Sequence, residues 1–219
     1  MRARGFTLIE LLVAVGLMAL MAALSWRGLD GMTRAQTQMR QHSDDVLALQ
    51  AGLGQWGTDL DALLSPPEAG ASDKFSILDW DGRALRLLRR GADPTAGLVV
   101  VAWSRRVVDG AGQWLRWQSP PLRTRAEREL AWQRAAQWAQ SPMADDAQRE
   151  VGVARIDQWQ IFFFRKDAWS NPLSSAEVAG DGKTDLPDGI RLVLTLAPGQ
   201  ALGGTLTRDW IRPGVGGGK

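Results

Sequence analysis

The sequence has no cysteine, no tyrosine and a single histidine, His42, in 219 residues. The missing cysteine excludes disulfides, thiolate metal sites and a cysteine nucleophile. One histidine is too few for a His-based metal cluster. Lysine is scarce as well, confined to Lys74, Lys166, Lys183 and Lys219, and arginine carries nearly all the positive charge. The net charge is only +2. No basic run is interleaved with aromatics, so no nucleic-acid partner is expected. No internal repeat is visible. Nothing in the chain selects a pair of carboxylates or an activated nucleophile, so no enzyme is expected. What is present is an ordinary apolar fraction of 45% and 11 tryptophans. That is enough to bury a core. Tryptophan can take the place of tyrosine as an amphipathic filler.

The N-terminus is the most specific stretch. Met1-Arg-Ala-Arg-Gly5 is short and basic, and an apolar run follows from Phe6 to Trp26. As a helix that run spans about 31 Å, which matches a hydrocarbon core of about 30 Å. Arg2 and Arg4 precede it, so the N-terminus is expected in the cytoplasm and the rest of the chain on the far side. Glu10 stands inside the run. A carboxylate there costs about 2.5–3.5 kcal/mol at a helix centre, which makes it a functional candidate. The plain alternative is that Glu10 lies near the helix end and snorkels to the interface. Ala23-Leu24-Ser25 could pass for a secretory cleavage site, but Glu10 interrupts the hydrophobic region and the run fits a span better.

Gly5-Phe6-Thr7-Leu8-Ile9-Glu10-Leu11-Leu12-Val13 resembles the processing site of type IV prepilins and pseudopilins. The resemblance implies that a membrane-embedded prepilin peptidase cuts between Gly5 and Phe6 and methylates the new N-terminus at Phe6. It also matches Glu10 to the family's assembly glutamate. A freed α-amine at the membrane edge and the Glu10 carboxylate of a neighbouring subunit would attract strongly in low dielectric. Glu10 would then set the axial register of subunits.

Beyond Trp26 the apolar residues become periodic. Met32, Met39, Val46, Leu53 and Leu60 are spaced by seven, with Ala35, Leu49, Trp56 and Leu63 between them. This predicts one amphipathic helix from Phe6 to Leu64, weakened near its end by Gly52, Gly54 and Gly57 and stopped by Ser65-Pro66-Pro67. His42 interrupts the stripe and is expected to be partly covered. Strands are expected at Phe75–Trp80 and Ala84–Arg89, with Asp81-Gly82 as a hairpin turn. Further strands are expected at Leu98–Val108, Trp114–Trp117, Val151–Arg165, Ile190–Leu196 and Thr205–Ile211. Alternation of Leu85 and Leu87 with Arg86 and Arg89 suggests half-exposed sheet faces. Thr124 and Glu127 form a capping-box pattern that opens a helix to Gln140, ended by Ser141-Pro142. Its apolar residues include Leu130, Ala135 and Ala139, and its Trp132 and Trp138 are expected in the core, with an exposed partner surface as the alternative. The fold class is therefore α+β: a long N-terminal helix, membrane-spanning in its first half, packed on an antiparallel sheet, as in pilins and pseudopilins.

The expected division is a leader at 1–5, a transmembrane helix at 6–26, a periplasmic continuation of the helix at 27–64, an α+β domain at 65–212 and a disordered tail at 213–219. Asp181, Asp185 and Asp188 form the only dense acidic loop. They could hold calcium with backbone carbonyls, although the spacing is not that of an EF-hand and such loops are commonly solvated turns. No other cofactor is expected.

Three further stretches resemble the minor pseudopilin of J type in type II secretion systems: Trp26–Ala35, Trp159–Trp169 and Leu186–Leu192. The stretch from Thr124 to Gln140 has no counterpart in that resemblance. Membership would imply a place in the tip complex of a pseudopilus that helps export folded proteins across the outer membrane. The implied partners are the I, K and H types, the prepilin peptidase and the inner membrane. A minor pilin of a type IV or DNA-uptake pilus is the alternative, and a membrane-anchored periplasmic enzyme or sensor domain is the second.

Overall fold

A computed structural model describes residues 7–65, 75–93, 97–174 and 186–214. The first element, α1, is a helix from Leu8 to Asp61. The chain divides into two compact units between Asp44 and Asp45, so α1 contributes to both.

In the first unit α1 is exposed throughout. Leu8, Leu11, Leu12, Val15, Leu20 and Leu24 are all open to the surroundings. This apolar run is therefore not the core helix of a water-soluble fold. Among the described residues α1 is the one helix long and apolar enough to cross a membrane. Met32, Met39 and His42 are exposed too. The expectation that His42 is partly covered is thus corrected. Burial begins only at Leu49, where the sheet comes within reach.

The second unit is an eight-stranded antiparallel sheet with a helix on each side. Its strands are β1 (Leu78–Trp80), β2 (Ala84–Arg90), β3 (Leu98–Val108), β4 (Ala111–Gln118), β5 (Glu150–Arg165), β6 (Ala168–Ser170), β7 (Gly189–Leu196) and β8 (Gly204–Ile211). The order across the sheet is β1-β2-β3-β4-β5-β7-β8, with β6 paired to β5 alone. Strand β5 is 16 residues long and changes partner along its length. It pairs β4 through Arg155 and β7 from Ile156 on, with a register shift in each ladder. Asp81-Gly82 does turn β1 into β2, with Gly82 at φ +89° and the Asp81 carboxylate accepting the Arg83 and Ala84 N–H groups.

One face of the sheet packs on the end of α1. Leu49, Trp56 and Leu60 of the helix meet Leu85, Leu87, Val101, Trp103 and Trp114. Ile161, Ile190, Leu192 and Leu194 extend this cluster across β5 and β7. The other face of β2, β3 and β4 packs on α2 (Arg125–Gln140) through Ala131, Ala135, Trp138 and Ala139. Both sides of β2 are therefore covered, and its Arg89 is only 5% exposed. The half-exposed sheet expected here is corrected: α2 closes the second face. Trp138 of α2 is buried, as expected, whereas Leu130 points outward.

The three helical glycines do not end α1. Gly54 and Gly57 face open space, whereas a Cβ on Gly52 would lie 2.0 Å from Val153 Cγ1. Gly52 is where the helix backbone comes down onto β5. Helix α1 ends at Asp61 because the sheet captures the next residues. Leu64 N–H donates to Leu88 O, and Arg90 N–H donates to Ala62 O. Pro66 and Pro67, expected to stop the helix, lie outside the described residues.

Candidate assembly site

Thr7 is the residue before the first turn of α1, and Glu10 is the third residue inside it. The Glu10 carboxylate turns back and accepts the Thr7 N–H at 2.9 Å and the Thr7 hydroxyl at 2.8 Å. Thr7-Leu-Ile-Glu10 has the S/T-x-x-E spacing of a capping box, which ties down backbone N–H groups that have no partner inside the helix. This local role of Glu10 stands beside the intermolecular one that the resemblance implies, and the Thr7–Glu10 spacing is its signal in the sequence. In the free chain Glu10 has partners within its own segment. Gly5 and Phe6 lie outside the described residues.

In the domain, the strongest polar feature is one that the sequence reading did not single out. Asp59, on α1, is fully buried. Arg116 Nε and Nη2 donate to its two oxygens at 2.8 and 2.9 Å. Trp103 Nε1 donates at 2.9 Å and Gln55 Nε2 at 2.8 Å. Arg89 Nε lies 3.1 Å from Asp59 Oδ1. Burial holds the Arg89 guanidinium below its ordinary value, opposed by Asp59 and assisted by the like charge of Arg116. Two arginines thus face one carboxylate. The surplus charge sits by the last turn of α1, whose carbonyl end favours cations and carries no basic residue of its own.

Indole-to-carboxylate bonds recur where the helical layers meet the sheet, although the buried indole N–H groups of Trp56 and Trp114 have no such partner. Trp210 of β8 donates to Asp61 at 2.8 Å. Trp117 of β4 donates to Asp146 at 3.2 Å, in the short 3-10 turn after α2. Trp138 of α2 donates to Glu150 at 2.6 Å, and Arg106 grips the same carboxylate with two bonds. In each case tryptophan supplies apolar bulk and one directed donor.

Asp188 is bonded to Arg212 at 2.8 Å. Asp181 and Asp185 lie outside the described residues. Among the described residues no three His, Cys, Asp or Glu side chains are grouped to hold a metal. His42 stands alone on the exposed part of α1.

Residues 1–26 match the family described as the prokaryotic N-terminal methylation motif. Matching ends at Trp26, so it covers the apolar start of α1 and none of the domain. Comparison with curated proteins gave no match. Among solved structures, the chain is similar to one in the crystal structure of the GspK-GspI-GspJ complex from the type 2 secretion system of enterotoxigenic Escherichia coli. That similarity has a TM-score of 0.44 and 16% identity, and covers 76% of this chain and 96% of the other.

Proposed function

We propose that this chain is a type IV pilin-like protein of the minor pseudopilin kind, and that it works by assembling with other chains rather than by catalysis. The observation that carries the reading is the methylation motif at the head of a helix that can cross a membrane and whose far end packs on an antiparallel sheet. On this reading the prepilin peptidase cuts between Gly5 and Phe6 and methylates Phe6. Helix α1 anchors the protein in the inner membrane, with the N-terminus cytoplasmic and the domain periplasmic. Glu10 leaves its bonds to Thr7 during assembly and pairs with the α-amine of a neighbour's Phe6.

The finer proposal is a J-type subunit in the tip of a type II secretion pseudopilus, beside the I, K and H types. A disulfide-closed loop, of the sort adhesin-like minor pilins often carry, is impossible in a chain with no cysteine. Purification of the full-length chain from host membranes in detergent, together with the host's own minor pseudopilins, tests this. A stable complex with the I and K types supports it. A complex with pilus minor pilins instead would move the function to a surface fibre. Assembly with neither would return the chain to a membrane-anchored enzyme or sensor domain.

A further inference from the structure

The two edges of the sheet are unlike. β1 has three residues, and shortness itself protects an edge from pairing. β8 has eight, and it follows β7 without a register break from Gly189 opposite Ile211 to Leu196 opposite Gly204. Among the described residues no strand pairs with the other side of β8. It contains no proline and no lysine, and Thr205, Thr207 and Ile211 suit an extended backbone. Such an edge offers a row of open N–H and C=O groups to an incoming strand.

The side chains of β8 restrict what can dock. Arg208 lies opposite Leu192, on the face shared with Leu206 and Trp210. It is exposed and forms no ion pair among the described residues. Asp209, on the other face, is already held by Arg191 through two bonds of 2.7 Å. Residues directly opposed across a strand pair share a face. The Arg208 face of β8 holds Gly204, Leu206 and Trp210 and no acid, so a second β8 paired antiparallel along the same edge cannot set a carboxylate opposite Arg208. Of its two registers of fullest antiparallel overlap with faces matched, one sets Arg208 against Arg208, where like charges directly opposed are destabilising, and the other sets it against Leu206, which offers no partner charge.

We propose that β8 is a docking edge for an extended strand of a different chain, one that places Asp or Glu opposite Arg208. This rests on the assembly reading above, in which the neighbours are different pilin-like chains. Hydrogen exchange on the full-length chain in detergent, alone and in the complex purified with those neighbours, tests it. The expected result is rapid exchange of β8 amides that face away from β7 in the chain alone, and protection of residues 204–211 in the complex. Arg208→Glu should weaken the complex about tenfold, as for a charge whose partner is reversed at an interface. Exchanging the opposing acid for arginine should restore it. A complex that leaves β8 unprotected, or that Arg208→Glu leaves as tight, overturns the docking edge while the assembly reading stands. Protection that grows with concentration in the chain alone would assign the edge to a second copy and overturn the proposal. No complex at all overturns both.

Discussion

Asp59 is one of five aspartates on α1, and such a residue ordinarily faces water. Its position could have revealed it. It lies three residues after Trp56 and one before Leu60, inside the stripe that packs on the sheet. Arg89 likewise falls where the Leu85–Leu87 alternation calls for a buried residue, and Arg116 falls between Leu115 and Trp117. One misplaced acid and two misplaced bases signal a buried network, but pairing them needs the strand register. Asp59→Ala would leave Arg89 and Arg116 buried without their partner. It should cost about 3–5 kcal/mol, whereas Asp209→Ala, which breaks the exposed pair with Arg191, should cost under about 1 kcal/mol. Denaturant unfolding of the full chain in detergent, followed by tryptophan fluorescence, checks both. The glycines on α1 separate in the same way. Gly54→Ala, in open space, should stabilise by up to about 1 kcal/mol, whereas Gly52→Ala must displace Val153 and should destabilise. Glu10 bonds Thr7 at the head of the helix, and two variants separate that local role from the charge role proposed in assembly. Glu10→Gln keeps a capping side chain and loses the charge; Glu10→Ala loses both. If the charge acts in assembly, both variants should be processed normally and both should fail to enter the assembled complex. Normal assembly of Glu10→Gln would leave Glu10 with a capping role alone.

At the scale of the elements, the strands were legible because β-branched and alternating runs fit a pleated surface. The capping box of α2 was legible too: Thr124 Oγ1 accepts the Glu127 N–H at 3.2 Å, and Glu127 accepts those of Thr124 and Arg123 at 3.0 and 2.7 Å. Those backbone bonds hold the Glu127 carboxyl below its ordinary value near 4.5. A depressed folded value means that the helix gains stability from the charge above pH 4.5 and loses it as pH falls through that lowered value. The protection of the first-turn amides of α2, taken relative to their intrinsic exchange rates, should therefore fall on acidification, and Glu127→Gln should flatten this response. The β5–β6 hairpin was not legible. Its turn uses Lys166 at φ +49° and Asp167 at φ +62°, where Asn-Gly is the usual signal. Asp167→Gly should relieve this backbone cost and raise stability by about 1 kcal/mol, measured by the same unfolding assay. The role of α2 in the sheet was also hidden. Sequence periodicity shows an apolar side on a helix, but not which face of the sheet it will cover.

For the whole molecule, the two units differ in how openly the sequence declares them. The first carries a short motif with strict spacing, and residues 1–26 match it. The second is a layered packing of tryptophan-rich strands whose buried charges emerge only when the strands are aligned. Arg208 and the open β8 edge depend on sheet order, which no local pattern specifies. The central claim is that the N-terminus is a processed membrane anchor, and the intact mass of the chain purified from host membranes tests it most directly. The expected mass is that of residues 6–219 with one methyl group, changing to the full chain when the host's prepilin peptidase is deleted. A chain that keeps Met1 in the presence of the peptidase, or one cut near Ser25, would contradict it.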